Sequence, residues 1–194
     1  CRVSSFYPLR FPEFPFQELN KPEGERWVTM IGGVENRRKD LEGSLALMQS
    51  SADQPIKFIF LGKSDPTKDE VKCFVERIEG MGLKEAVHLF EDFVSPELFD
   101  AYLKQTDLIW PMVHPNTPSA QEYFRNQIPG AINVAFAYKI PLFIHREYAI
   151  QWEDLQASSD YSLTSFKEDL SLALKNHHLK RQLLVENPKF YPEF

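Results

Sequence analysis

Gly32 and Gly33 close an apolar run, and Arg37, Arg38 and Lys39 follow directly behind them. Glycine lets a backbone approach a ligand closely and take positive φ. Cations at the start of a helix oppose its macrodipole, so a bound anion would account for them. Arginine grips a diphosphate through paired hydrogen bonds. The same residues also fit a tight strand–helix turn followed by a solvated basic face, and taken singly they do not choose between the two. Lys63 follows Gly62 at the end of a second apolar run. It either reaches the same anion or is a surface lysine. Gly130 and Ala131 follow Pro129 and open a third element. A helix starting there offers unpaired N–H groups and a positive dipole end to phosphate.

Other chemistries find no support. His88, His145 and Cys73 are too scattered in the sequence for a metal site, and no metal is expected. No P-loop, nucleophile elbow or dinucleotide fingerprint is present. The formal charge of -6 argues against a general nucleic-acid or membrane-surface binder. Two cysteines make no disulfide framework, so a reducing, cytoplasmic setting is expected, with Cys73 as a buried apolar residue. No apolar run approaches the roughly 20 residues of a membrane span, and no signal peptide is visible. The first residue is Cys1, which suggests a piece of a longer protein; a mature lipoprotein would also begin with cysteine.

The elements that must position these residues alternate in type. Trp27 to Gly33 reads as a strand, Arg37 to Ser50 as a helix, and the continuously apolar Ile56 to Gly62 as a strand buried on both faces. A helix starting at Ser64 to Pro66 runs to about Gly82, followed by a strand over Ala86 to Asp92. Ser95 and Pro96 open a short helix as N-cap and first helical residue. Asp107 to Pro111 is a strand, Met112 to Pro129 a polar loop, Gly130 to Tyr138 a helix and Ile140 to His145 a strand. A helix over Glu147 to Gln156, a short strand near Tyr161 and a helix over Thr164 to Asn176 complete the pattern. Strands separated by helices imply βαβ units and a parallel sheet. The expected fold is a three-layer α/β/α Rossmann-like domain with about six parallel strands, over 27–176. Residues 1–26 are expected to form a connector that packs on it, and 177–194 a C-terminal extension whose Pro-aromatic tail is expected to pack with the connector. Ligands in such sheets bind beyond the carboxyl ends of the strands. That rule puts Gly32, Lys63 and Gly130 on one rim and tips the reading toward a phosphate cradle.

Four passages together resemble a known family. TMIGGVENRRKDLEGSLALM, FIFLGKSD, VHLFEDFVSPELFDAYLKQTDLIWPMV and GAINVAFAYKIPLFI are similar, in order and spacing, to the C-terminal, donor-binding half of GT-B glycosyltransferases of the glycosyl transferases group 1 type, in a divergent form. The resemblance implies a nucleotide-diphosphate sugar as donor substrate, no separate cofactor, and transfer of a hexosyl unit to a glycan or lipid-linked acceptor in polysaccharide biosynthesis. It implies that Gly32, Gly33, Arg37, Arg38 and Lys63 meet the diphosphate, with Arg38 aligning best, and that Gly130, Ala131 and Asn133 face it from a helix start. The loop at Phe93 would line the nucleotide base, and His114 would meet sugar or phosphate unless it is simply exposed. An acceptor-binding N-terminal domain, the expected partner and a route to peripheral membrane association, is missing from this chain, which alone should bind donor and turn over poorly. Where many retaining members carry two glutamates this chain has Asn126 and Val134, and Lys139 stands where a glycine is usual. Two other readings fit those departures: a non-catalytic sugar-nucleotide-binding or interaction module, and a sugar-nucleotide epimerase relative.

Overall fold

Alternation along two strands builds the centre of the molecule. In a computed structural model that describes residues 14–35, 39–125, 127–150, 155 and 158–187, β1 (Arg26–Ile31) and β2 (Ile56–Lys63) run parallel in register. Val28, Met30, Phe58 and Phe60 enter one core, and Trp27, Ile59 and Leu61 enter the other. Period-two alternation with both sets apolar is what a strand covered on both faces requires. β3 (Val87–Phe90) and β4 (Leu108–Ile109) flank them, giving a parallel sheet in the order β3-β2-β1-β4. The first core is covered by α1 (Leu41–Ser50), α2 (Asp69–Gly80) and the first turns of α7 (Phe166–Glu186). The second is covered by α3 (Pro96–Gln105) and α5 (Gly130–Tyr138). This is the expected α/β/α layering.

The strand count is corrected. The sheet holds four strands, not about six. β5 (Phe143–His145) and β6 (Ser159–Tyr161) form a separate parallel pair, joined to β4 only through the bridge Ile109–Leu142. Proline explains the narrowing. Pro111 and Pro141 flank that bridge and have no N–H to give a ladder; the Ile109 N–H donates to the Pro141 carbonyl at 3.0 Å, and regular pairing stops there.

Caps move several boundaries. The Asp40 carboxylate accepts the Gly43 N–H at 2.9 Å, so α1 starts after Asp40 and not at Arg37. Ser95 caps α3 as expected, accepting from Leu98 N–H at 3.3 Å with Pro96 next to it. The loop between β4 and α5 contains a helix, α4 (Ala120–Arg125). The helix expected from Glu147 begins at Arg146 as the short α6 (Arg146–Ala149), and most of its remainder lies outside the described residues. α7 runs on past Asn176 and brings Leu184 into the second core. Cys73 is exposed on α2 rather than buried; the helix turns Val71, Phe74 and Ile78 inward instead.

At the amino end of the sheet one carboxylate gathers several partners. Asp107 pairs with Lys21, with Arg26 at 3.3 Å and with His177 of α7 at 3.4 Å, and it accepts the Trp27 N–H at 2.7 Å. Lys104 and Gln105 of α3 hold the carbonyls of Phe14 and Gln17. Residues 14–25 are thereby tied down far from the carboxyl ends of the strands.

Candidate functional site

The carboxyl ends of β1 and β2 press together. At Gly33 an added Cβ would lie 1.8 Å from the Lys63 carbonyl oxygen, and at Gly62 it would lie 2.7 Å from the Gly32 backbone. No side chain fits either position, so these two glycines serve the approach of strand to strand. Gly32 is different. Its φ of 90° requires a residue tolerant of the left-handed region, and its neighbour is the Lys39 ammonium at 3.4 Å from an added Cβ. Lys39 is 6% exposed and donates to the Gly33 carbonyl at 2.7 Å. Its Nζ also lies 3.9 Å from Glu35 Oε1.

Facing these residues is the start of α5. Pro129 is its N-cap and no side chain caps the first turn. An added Cβ at Gly130 meets nothing within 4 Å, so the helix end opens onto free space. That space is a cleft of about 260 Å³ lined by Ile31, Gly32, Glu35 and Lys39 from the β1 end, Pro111 and Val113 from the β4 end, Tyr123 of α4, and Pro129 to Ala131. An ammonium and a helix N-terminus therefore converge on one cavity at the carboxyl edge of a parallel sheet. Both favour a negatively charged occupant.

Of the residues singled out in the sequence, Gly32, Lys39, Gly130 and Ala131 line this cleft. Gly33 lies beneath it, against β2. Arg37 and Arg38 fall outside the described residues. Lys63 does not line the cleft; its Nζ lies 4.0 Å from Asp65. Phe93 is 80% exposed and Asn133 half-buried on α5, neither of them in the cleft lining. His114, read as exposed unless it touched ligand, is buried behind the cleft. Its Nδ1 accepts the Asn116 N–H at 3.2 Å and its Nε2 lies 3.5 Å from Asp40 Oδ2. The imidazole thus joins the β4 loop to the cap of α1. Glu35 and Tyr123 were not selected from the sequence, whereas Lys39 belongs to the basic run that a bound anion would account for. Nothing in the sequence marked Tyr123, because one short helix inside a polar loop has too few turns to show periodicity.

Burial lowers the pKa of His114, opposed by Asp40 and reinforced by His145. Burial likewise lowers His145 and His88. All three are held neutral in the folded chain, while the unfolded chain protonates them near pH 6.5. Stability contributed this way is complete above that pH and is lost as the pH falls toward the lower folded values. Urea midpoints are expected to drop between pH 7.5 and 5.5, and His114→Gln is expected to flatten the decline. An unchanged slope in the variant would remove His114 from the account.

No family model matches the sequence, and no curated protein matches it. Solved structures do match. The C-terminal domain of a glycosyl transferase group 1 family protein from Francisella tularensis superposes with a TM-score of 0.57 at 11% identity, over 83% of this chain and 81% of that one. The fold is that of the C-terminal domain of a GT-B glycosyltransferase. Two longer proteins contain a region of similar fold. Sucrose-phosphate synthase from Thermosynechococcus elongatus gives a TM-score of 0.61 at 16% identity over 88% of this chain, and a UDP-forming trehalose-phosphate synthase from Burkholderia xenovorans gives 0.56 at 10% over 84%. This chain spans only 41% and 40% of the length of those two chains. Among its described residues no helix is long and apolar enough to cross a membrane, and no group of three metal-binding side chains is found.

Proposed function

We propose that this GT-B-type domain binds a nucleotide-diphosphate sugar with its diphosphate between Lys39 and the amino end of α5, as the donor half of a glycosyltransferase. The observation that carries the reading is the cleft itself: Gly32, Lys39 and the open Gly130 end of α5 meet around one space at the strand ends. When the sugar leaves, negative charge accumulates on the diphosphate. A buried ammonium and a fixed helix dipole stabilise that charge without reorganising, which is the electrostatic form of leaving-group catalysis. The neutral His114 and the Asp40 cap hold the two loops that carry these groups. The acceptor and any general base belong to a second domain outside this chain, so the chain alone binds and does not transfer.

Calorimetric titration with UDP, GDP and ADP tests the reading. Saturable binding of one of them by the folded chain is expected, and binding of none contradicts it. A non-catalytic binding module is the second reading. Val134, at a position where many retaining enzymes carry a glutamate, is packed in the second core and offers no carboxylate to the donor. A two-domain chain that binds donor yet never transfers the sugar would favour it.

A further inference from the structure

Glu35 is the one carboxylate among the described residues that line the cleft. Its Oε1 lies 3.9 Å from the Lys39 ammonium, and its side chain is partly open to solvent at 41% exposure. The local fold has other means of support. Asp40 caps α1, and Lys39 is already anchored on the Gly33 carbonyl. A negative group beside the cation that should hold a phosphate weakens phosphate binding unless it recognises something else on the ligand.

We propose that Glu35 distinguishes the sugar nucleotide from the free nucleoside diphosphate. The proposal rests on the donor-binding reading above. Sugar hydroxyls donate hydrogen bonds, and a carboxylate accepts them strongly. The terminal phosphate of a free diphosphate has no such donor to offer. It also ionises a second time near neutral pH, whereas in the sugar nucleotide that oxygen is esterified and the charge is absent. Glu35 therefore accepts from the hydroxyls of the bound sugar and repels the extra charge that appears once the sugar has gone. The cleft holds substrate in preference to product, and product leaves faster.

The test titrates the whole 194-residue chain and its Glu35→Gln variant with three pairs: UDP and UDP-glucose, GDP and GDP-mannose, ADP and ADP-glucose. Glutamine keeps the size and one acceptor and removes the charge, and a thermal melt checks that the fold is kept. For the pair that the unaltered chain binds, the variant is expected to bind the free diphosphate more tightly and the sugar nucleotide less tightly. The ratio of the two Kd values should shift about tenfold toward the diphosphate. A ratio that does not move, or an unaltered chain that binds a diphosphate and no sugar nucleotide, overturns the proposal and leaves nucleotide binding standing. An unaltered chain that binds none of the six overturns both readings.

Discussion

Gly130→Asp is expected to abolish nucleotide binding while leaving the domain at least as stable as before. An added Cβ at Gly130 meets no atom within 4 Å, so the aspartate fits without displacing its neighbours. Its carboxylate would stand at the mouth of α5, where the proposed diphosphate would lie. Two such charges about 5 Å apart at an effective dielectric of about 20 repel by about 3 kcal/mol, or more than a hundredfold in Kd. The same change favours the helix. An acidic group in the first turn contributes about 0.3–1 kcal/mol, and removing a glycine from a helix contributes about 0.5–1 kcal/mol more. Gly130→Asn is the control, since it has the same shape without the charge and should retain binding within a few-fold. Calorimetric titration and a thermal melt of both variants separate the outcomes. Loss of binding in both would make the effect steric, and retention in both would place the anion elsewhere.

Gly33→Ala should behave in the opposite way. The new methyl would lie 1.8 Å from the Lys63 carbonyl oxygen, a backbone atom that no rotamer change can move. The ends of β1 and β2 must separate, and Ser64, whose hydroxyl accepts the Val34 N–H at 3.0 Å, moves with them. Overpacking of this kind costs about 3 kcal/mol. In a chain of this size that lowers Tm by roughly 6–12 °C. Gly62→Ala, at 2.7 Å from the Gly32 backbone, should fall in the same direction by a smaller amount. If Gly33 were present to let a ligand approach, the alanine variant would melt normally and bind poorly. Thermal melts of the two variants decide between these roles.

These contrasts show what the sequence made legible. Local features with strong chemistry were readable: the alternating strands, the Ser95-Pro96 start of α3, and the Gly130 start of α5 after Pro129. The order of those features also carried the fold, because strands alternating with helices imply a parallel sheet whose strand-end loops share one rim. Features that depend on three-dimensional neighbours were not readable. Gly32 and Gly33 are adjacent and identical in type, yet one faces the cleft and the other faces a carbonyl of β2. His114 sits in a polar, proline-rich loop, and only the fold shows that the loop tucks it against Asp40. The separate β5–β6 pair follows from two prolines whose effect depends on which strands would have flanked them. Glu35 carried no signal in the sequence, and only the fold places it in the cleft beside Lys39.

The central claim is that a diphosphate sits between Lys39 and the open end of α5, and amide chemical shifts test it most directly. A ¹⁵N-labelled sample of the chain would be titrated with UDP, GDP and ADP in turn. The account predicts that the largest shifts fall at Gly32, Gly130 and Ala131, with little change at Trp27 and the Asp107 end of the sheet. Shifts concentrated away from the strand-end rim, or none with any of the three nucleotides, would contradict it.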